Sequence, residues 1–419
     1  MRKLKDKNRS RLIQAAMGKI PCDLTVKNVQ YFNVFTGEID PAEVDVLDGF
    51  VVRVRQVGEH SEIPAKSVYD GQGRYLIPGY IDTHMHVEST MMIPENLSRA
   101  ILPWGTTTIC TDDVHAKDLL TVGHINKVVR KAVQVGISGC EAIKLATFNA
   151  AREYGFDDLG AVAPGYIADM QIVDTLDGCQ PAAVFVEGRL VAENGAYTGP
   201  DHKEGDYDFP NTVNIPQIHS ADDFRLKAPT ADDTVKIKVI VPRDGNRVLR
   251  DTQVMELPVK DGYVDISGHP DLVYVTVVNR YSTGTQTTAI YKYFGLNRGT
   301  LASTISHDSH NLTVAYRDPK DAYLAAETLR ECAGGVCIVD NGEATTLPLP
   351  VAGLMSQMVC ADVAAQIEAV QKKLDSMTDG TVTLLATAIM ALPVLPGVII
   401  TDRGLVDGLS QQFIEQFEG

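Results

Sequence analysis

Cysteine is scarce and unpatterned in this chain. The seven residues (Cys22, Cys110, Cys140, Cys179, Cys332, Cys337, Cys360) are odd in number and never spaced Cys-x-x-Cys, which excludes a zinc ribbon and fits a reducing compartment. Long apolar runs are also missing. The basic start, Met1 to Ser10, leads into no stretch of signal-peptide length, and no later stretch approaches the roughly 20 apolar residues of a membrane span. No membrane partner is expected, and the chain reads as cytoplasmic. Basic residues are outnumbered, 38 Lys and Arg against 54 Asp and Glu, for a net charge of -16. That balance argues against nucleic acid or an anionic lipid surface as the main partner. There is no internal repeat and no low-complexity tract.

What is present is an ordinary globular composition, 44% hydrophobic and 22% charged over 419 residues, enough for two or three domains with sizeable cores. Residues 1–21 predict a short basic N-terminal helix with Leu12, Ile13 and Ala16 on one side. Period-two patterning then takes over, in Leu24-Thr-Val-Lys-Asn-Val29, Val44-Asp-Val-Leu47 and Val51-Val-Arg-Val-Arg55, with turns at Phe35-Thr-Gly37 and Asp48-Gly49. These are short antiparallel strands joined by hairpins. A matching set returns at Gly165 to Asp174 and Ala183 to Val191. Segments 22–77 and 160–200 therefore predict one composite β-sandwich flanking residues 78–159. A linker rich in Gly and Asp, Gly195 to Asp208, precedes a C-terminal α+β domain over 206–419. In that domain strands are expected at Thr234 to Val241, Leu272 to Val278 and Leu312 to Tyr316, and helices at Pro319 to Ala333 and Asp362 to Leu374.

The chemistry concentrates in Tyr75-Leu-Ile-Pro-Gly-Tyr-Ile-Asp-Thr-His-Met-His-Val-Glu-Ser-Thr90, where metal-competent side chains ride on an apolar stretch of strand length. Alternate strand residues share a face, so His84 and His86 are expected on one side, about 7 Å apart, with Asp82 beside them and two imidazoles in reach of one cation. After a short helix from Pro94 to Trp104, Gly105-Thr-Thr-Thr-Ile-Cys-Thr111 predicts a second strand ending at Asp112-Asp113. In a (β/α) barrel, residues at C-terminal strand ends converge on one mouth. Asp112 is thereby a third metal ligand and a proton carrier for the bound water; a helix N-cap is the structural alternative for Asp112 and Asp113. Two helices follow, about Ile125 to Val135 and Gly139 to Tyr154. His115 and His124 read as histidines of a solvated loop or helix start.

Pro78-Gly-Tyr-Ile-Asp-Thr-His-Met-His86 resembles the strand-one signature of the metal-dependent amidohydrolase superfamily. Val87-Glu88-Ser-Thr-Met-Met92 with Leu102-Pro-Trp-Gly-Thr-Thr-Thr108 resembles its adenine deaminase family. Cys110-Thr-Asp-Asp113, Gly123-His124-Ile125, Ala146-Thr-Phe-Asn-Ala-Ala-Arg152 and Gly160-Ala-Val-Ala-Pro-Gly-Tyr-Ile-Ala-Asp169 are similar to that family's last barrel strand, the helices after it and the return strands. Phe294-Gly-Leu-Asn297, Ser306-His-Asp-Ser-His-Asn311 and Leu347-Pro-Leu-Pro-Val-Ala-Gly-Leu-Met355 carry the resemblance through the C-terminal domain.

The resemblance implies hydrolytic deamination of adenine to hypoxanthine and ammonia, in purine salvage and adenine catabolism. It implies a manganese-activated centre, with iron or zinc as alternatives, His84, His86 and Asp112 as metal ligands, and a homo-oligomer. Glu88 is expected on the strand face of His86, near purine or metal. His307 and His310, with Asp308, either line the active site or form a hydrogen-bonded turn. One departure stands out. Only 25 positions separate His86 from Asp112, whereas a closed barrel needs about 250 residues and eight strands. The missing block falls between Ile109 and Cys110. The expected fold is thus α/β plus β: a truncated barrel remnant over 78–159, the small sandwich and the α+β domain. A catalytically impaired or inactive remnant is the alternative function.

Overall fold

Two hairpin chemistries organise the first half of the chain. Asp48 and Gly49 both take positive φ, 53° and 84°, the type I′ turn whose twist matches its flanking strands; Asn194-Gly195 repeats the pattern. The computed structural model describes residues 9–57, 64–85, 87–110, 122–199, 208–244, 246–378, 380–392 and 395–418, and the chain divides into two units, 1–204 and 205–419.

In the first unit the strands are β1 Cys22–Phe32, β2 Ile39–Leu47, β3 Phe50–Gln56, β4 Ala65–Asp70, β5 Tyr75–Pro78, β6 Tyr80–Asp82, β7 Thr106–Ile109, β8 Met170–Val173, β9 Ala183–Val186, β10 Arg189–Glu193 and β11 Ala196–Tyr197. Nine of them form one mixed sheet in the order β11-β10-β9-β8-β5-β1-β2-β3, with β4 also paired to β1. The sequence predicts a sandwich; hydrogen bonding instead makes both segments one sheet, because β5 pairs antiparallel with β8, Tyr75 opposite Val173 and Pro78 opposite Met170. The Gly195 linker is likewise in part strand, as β11. Leu24, Val26 and Val44 from before the insert share a core with Met170, Ile172 and Phe185 from after it. The N-terminal helix, Arg9–Ala16, buries Leu12 and Ala15 and packs Ala16 against the same core, but leaves Ile13 58% exposed, so of the three residues expected on its inner side Ile13 alone faces out.

The inserted segment contains a parallel pair, β6 and β7, with Tyr80 opposite Thr106 and Asp82 opposite Ile109. It also holds the helix Pro94–Ile101, the helix Ile125–Gln134 and a further helical run from Gly139 to Glu153. That run starts at Ser138, whose hydroxyl accepts the Glu141 N–H at 3.2 Å, an N-cap. Gln171, fully buried in β8, ties the insert to the large sheet: its Nε2 donates to the carbonyls of Pro78 (3.0 Å) and Gly105 (3.4 Å). Gly105, at φ +85°, lies so close that a Cβ there would sit 1.9 Å from Gln171 Oε1.

The second unit is built on a ten-stranded sheet. Its strands are β12 Thr234–Arg243, β13 Asn246–Lys260, β14 Tyr263–Val264, β15 Leu272–Val278, β16 Gln286–Lys292, β17 Thr300–Ser303, β18 Leu312–Tyr316, β19 Gly335–Asp340 and β20 Glu343–Pro348. They lie in the order β14-β13-β12-β16-β15-β18-β17-β19-β20, and Phe417–Glu418 pairs with β12. β15 and β18 are buried along their whole length, as their continuous apolar sequences require of central strands. The helix Pro319–Glu331 is capped by Asp318, which accepts the Lys320 N–H at 2.8 Å. It lays Ala322, Ala325, Ala326 and Leu329 into the core at helical spacing. The helix Cys360–Asp375 and a three-stranded sheet from Val398–Thr401, Gly404–Asp407 and Gln412–Ile414 complete the unit.

Two outcomes follow for stability. Gly105→Ala places a Cβ both at positive φ and against Gln171, and is expected to cost about 2–4 kcal/mol. Urea denaturation followed by the fluorescence of the neighbouring, single tryptophan, Trp104, measures it. Burial pushes the Asp169 carboxyl up to about 6, against the lowering effect of its bond from the Glu187 N–H. The folded state then holds this proton more tightly than the unfolded chain, so stability falls as pH rises between about 4 and 6. Asp169→Asn keeps an acceptor for Glu187 and removes that loss. The variant is expected to match the wild type at pH 4 and exceed it by about 1–3 kcal/mol at pH 7 in paired urea titrations.

Candidate functional site

The strand β6 ends earlier than its sequence suggests. Asp82 is its last residue, and Asp82 Oδ1 accepts the His84 N–H at 3.1 Å, a local turn that takes the chain out of extended conformation. The expected placement of His84 on the strand face is therefore corrected: His84 lies beyond the strand and is exposed, while Asp82 is 6% exposed. His86, Asp112, Asp113 and His115 lie outside the described residues. Glu88 is not on a strand either. It belongs to a 3-10 turn, Val87–Thr90, where it is half-buried.

His124, read from sequence as a bland loop residue, is instead 5% exposed and packed against both strands of the parallel pair. Its Nδ1 is 2.8 Å from the Thr106 hydroxyl. Its Nε2 stands 3.0 Å from Asp82 Oδ2, a close polar contact rather than an aligned hydrogen bond. The backbone holds the ring in place. The His124 N–H donates to Asn126 Oδ1 at 2.7 Å, and Asn126 Nδ2 reaches the Gly178 carbonyl at 3.3 Å. Asn126 is fully buried at the start of the helix Ile125–Gln134. Neither periodicity nor composition marks His124; the one local signal is the Asn two residues on, whose side chain can bond back to the backbone at a helix start.

The arrangement assigns Asp82 a positioning role. One carboxylate oxygen serves the His84 N–H and the other faces His124, so the group fixes the chain as it leaves β6. The segment is clamped from two further sides, by the Cys110 N–H on the Asp82 carbonyl at 2.6 Å and by the Tyr154 hydroxyl on the Thr83 carbonyl. Burial, and then the Asp82 charge, raise the Cys110 thiol above its ordinary pKa, which keeps it protonated and a poor nucleophile.

In the second unit, Ser306 to Asn311 lies between β17 and β18. Of the two roles open to it, the hydrogen-bonded turn is observed: Ser306 Oγ lies 2.9 Å from Thr313 Oγ1, and the His310 N–H donates to the Ser306 carbonyl at 2.5 Å. The His307 N–H is held by the Ala388 carbonyl at 3.0 Å. The turn also brings the two imidazoles together, ring centroids 5.5 Å apart and edge to face, with a ring nitrogen of each within 4.8 Å of the other's. Asp308 is exposed. Arg280, 2% exposed, anchors the turn from below: Nε donates to the His310 carbonyl, one Nη to Thr212 Oγ1 at 2.6 Å and the other to the Ala352 carbonyl at 2.9 Å.

Residues 106–191, from β7 through β10, match the Amidohydrolase family. Residues 247–412 match the Adenine deaminase C-terminal domain. An adenine deaminase of Ruegeria pomeroyi is 36% identical, with 97% of each chain covered, and adenine deaminase 2 of Carboxydothermus hydrogenoformans is 26% identical, covering 94% of this chain and 97% of that one. The chain belongs to the adenine deaminase family, hydrolases of the amidohydrolase superfamily. The Ruegeria alignment runs over 596 positions, of which this chain, at 419 residues, fills only part. Among solved structures, a zinc-bound adenosine deaminase from Xanthomonas campestris is 11% identical over 43% of this chain and 95% of that one, at a TM-score of 0.34. Among the described residues no helix is long and apolar enough to cross a membrane.

Removing the carboxylate beside a buried imidazole strands it. Asp82→Ala is expected to cost about 2–4 kcal/mol, and His124→Ala a similar amount. Because each removes the same contact, the double variant should lose less than the sum of the two. A double-mutant cycle in urea tests this; strict additivity would show that the contact carries no energy.

Proposed function

We propose that the chain hydrolyses adenine to hypoxanthine and ammonia, and that a divalent ion, manganese in the first place with iron or zinc able to replace it, serves the reaction. Family membership carries this reading. The donor chemistry fits such an ion: imidazoles and carboxylates suit manganese, iron and zinc, and His84, exposed just past the end of β6, offers an imidazole of that kind. When bound, the ion would supply Lewis-acid activation of water.

The residues that would hold the ion are His84, His86 and Asp112. Asp112, three positions past the end of β7, would take a proton from the attacking water and return it to the departing C6 amine, so that one C–O bond forms and one C–N bond breaks with no net proton change. Asp82 would keep the turn into His84 in place. Glu88, His307 and His310 are assigned to substrate contact or proton handling. The same reading puts the reaction in the cytoplasm, in purine salvage and adenine catabolism, within a homo-oligomer.

One observation favours a second reading, that of an impaired remnant. The described residues between Pro78 and Leu159 contain two parallel strands, and the family alignment is longer than the chain. Catalytic groups act as a unit, so the loss of several costs most of the rate. Hypoxanthine release with manganese is expected at a rate at least about 100-fold below that of a full-length relative, and should vanish in Asp112→Asn. Metal content by elemental analysis should fall in His84→Ala and His86→Ala. Wild-type metal content in both variants would remove the ligand assignment; metal uptake without any hypoxanthine would leave the remnant reading.

A further inference from the structure

The second unit contains a buried charge that the proposed reaction does not use. Arg250, in β13, is 2% exposed. One of its Nη atoms donates to the Ile389 carbonyl at 3.0 Å, and its Nε makes no hydrogen bond. Among the described residues no carboxylate compensates it: burial lowers its pKa, and the only other ionisable group acting on it is Tyr291. A guanidinium removed from water without a counter-charge is costly, by several kcal/mol, and its five donors are largely unspent. The backbone behind it is fixed, since Arg250 bridges Gly397 and a Cβ at Gly397 would lie 2.2 Å from the Arg250 carbonyl oxygen.

Arg250 borders a cavity of about 180 Å³ that is also lined by Tyr291, Phe294, Thr383, Ala386 and Met390. The two rings pack edge to face, 5.7 Å between centroids. At roughly 30 Å³ per water, the cavity has room for about six, the size of a small organic acid. We propose that this cavity binds a small organic monoanion, a carboxylate on an apolar body, with Arg250 Nε and Nη paired to the carboxylate and the body against Tyr291, Phe294 and Met390. Planar carboxylate matches the guanidinium fork in two parallel hydrogen bonds. Inorganic phosphate has the charge but no apolar surface for the walls. An uncharged aromatic has the surface and leaves the guanidinium unpaired.

The full chain is titrated with benzoate, butyrate, phosphate and benzyl alcohol, following the thermal midpoint and the heat of binding, for wild type, Arg250→Met and Arg250→Lys. At ten times Kd, benzoate and butyrate are expected to raise the wild-type midpoint by about 3–5 °C, with phosphate and benzyl alcohol giving less than a third of that. Arg250→Met should lose the shift and Arg250→Lys retain a smaller one. Should Arg250→Met fail to fold, the contrast between benzoate and benzyl alcohol by calorimetry, in wild type and Arg250→Lys, decides. An equal benzoate shift in wild type and Arg250→Met overturns the site, as does no shift in wild type, and phosphate matching benzoate overturns the apolar-body assignment.

Discussion

The fully buried amide of Gln171 is the constraint on which the first unit depends. Its two N–H groups go to the carbonyls of Pro78 and Gly105, the points where the chain leaves the large sheet for β6 and where it enters β7. Carbonyls cut off from water must be paired, and here one side chain from β8 pairs both. The Tyr80 N–H shares the Gly105 carbonyl at 2.9 Å, and the Gly79 N–H takes the Asp169 carbonyl, also at 2.9 Å. The strand that returns after the insert thereby fixes where the insert begins. Residues about 90 positions apart hold one another, and the Asp82 and His124 pair inherits its position from that closure.

The two halves of the candidate chemistry are built on different logic. In the first unit, the C-terminal end of a parallel pair presents Asp82 with both oxygens engaged and His124 locked by Asn126. Both groups are taken up by protein partners that hold the chain's course out of β6. In the second unit, an antiparallel sheet holds a turn whose two imidazoles approach at fixed geometry because Arg280 takes up the carbonyls around it. Buried arginines thus appear twice in this unit. Arg280 spends its donors on backbone and a hydroxyl, and Arg250 keeps most of its own.

The two-residue and apolar signals proved the most readable. Asp48-Gly49 specified its hairpin through the sign of φ, Leu272–Val278 and Leu312–Tyr316 declared themselves as central strands, and Asp318-Pro319 marked a helix start at the observed residue. Each is decided by neighbours in the chain. The error at β6 has the same root. Apolar patterning cannot show where strand pairing ceases, and a short turn from Asp82 to His84 is locally as good as one more strand residue. Ile13 failed similarly, since which flank of the Leu12 and Ala16 face is covered turns on what the helix packs against.

The sequence by itself determined the family, several of the strands and helices, and the segment that carries the metal-competent side chains. Motif order and local propensity survive without knowledge of contacts. Only the tertiary structure decided that the strands before and after the insert are one sheet, that His124 is buried against Asp82 rather than solvated, and that Arg250 borders a cavity to which none of the described residues brings a carboxylate. These are relations between residues from about 18 to about 140 positions apart. Their energies come from desolvation and close packing, which act on positions in space and leave no period or spacing in the chain.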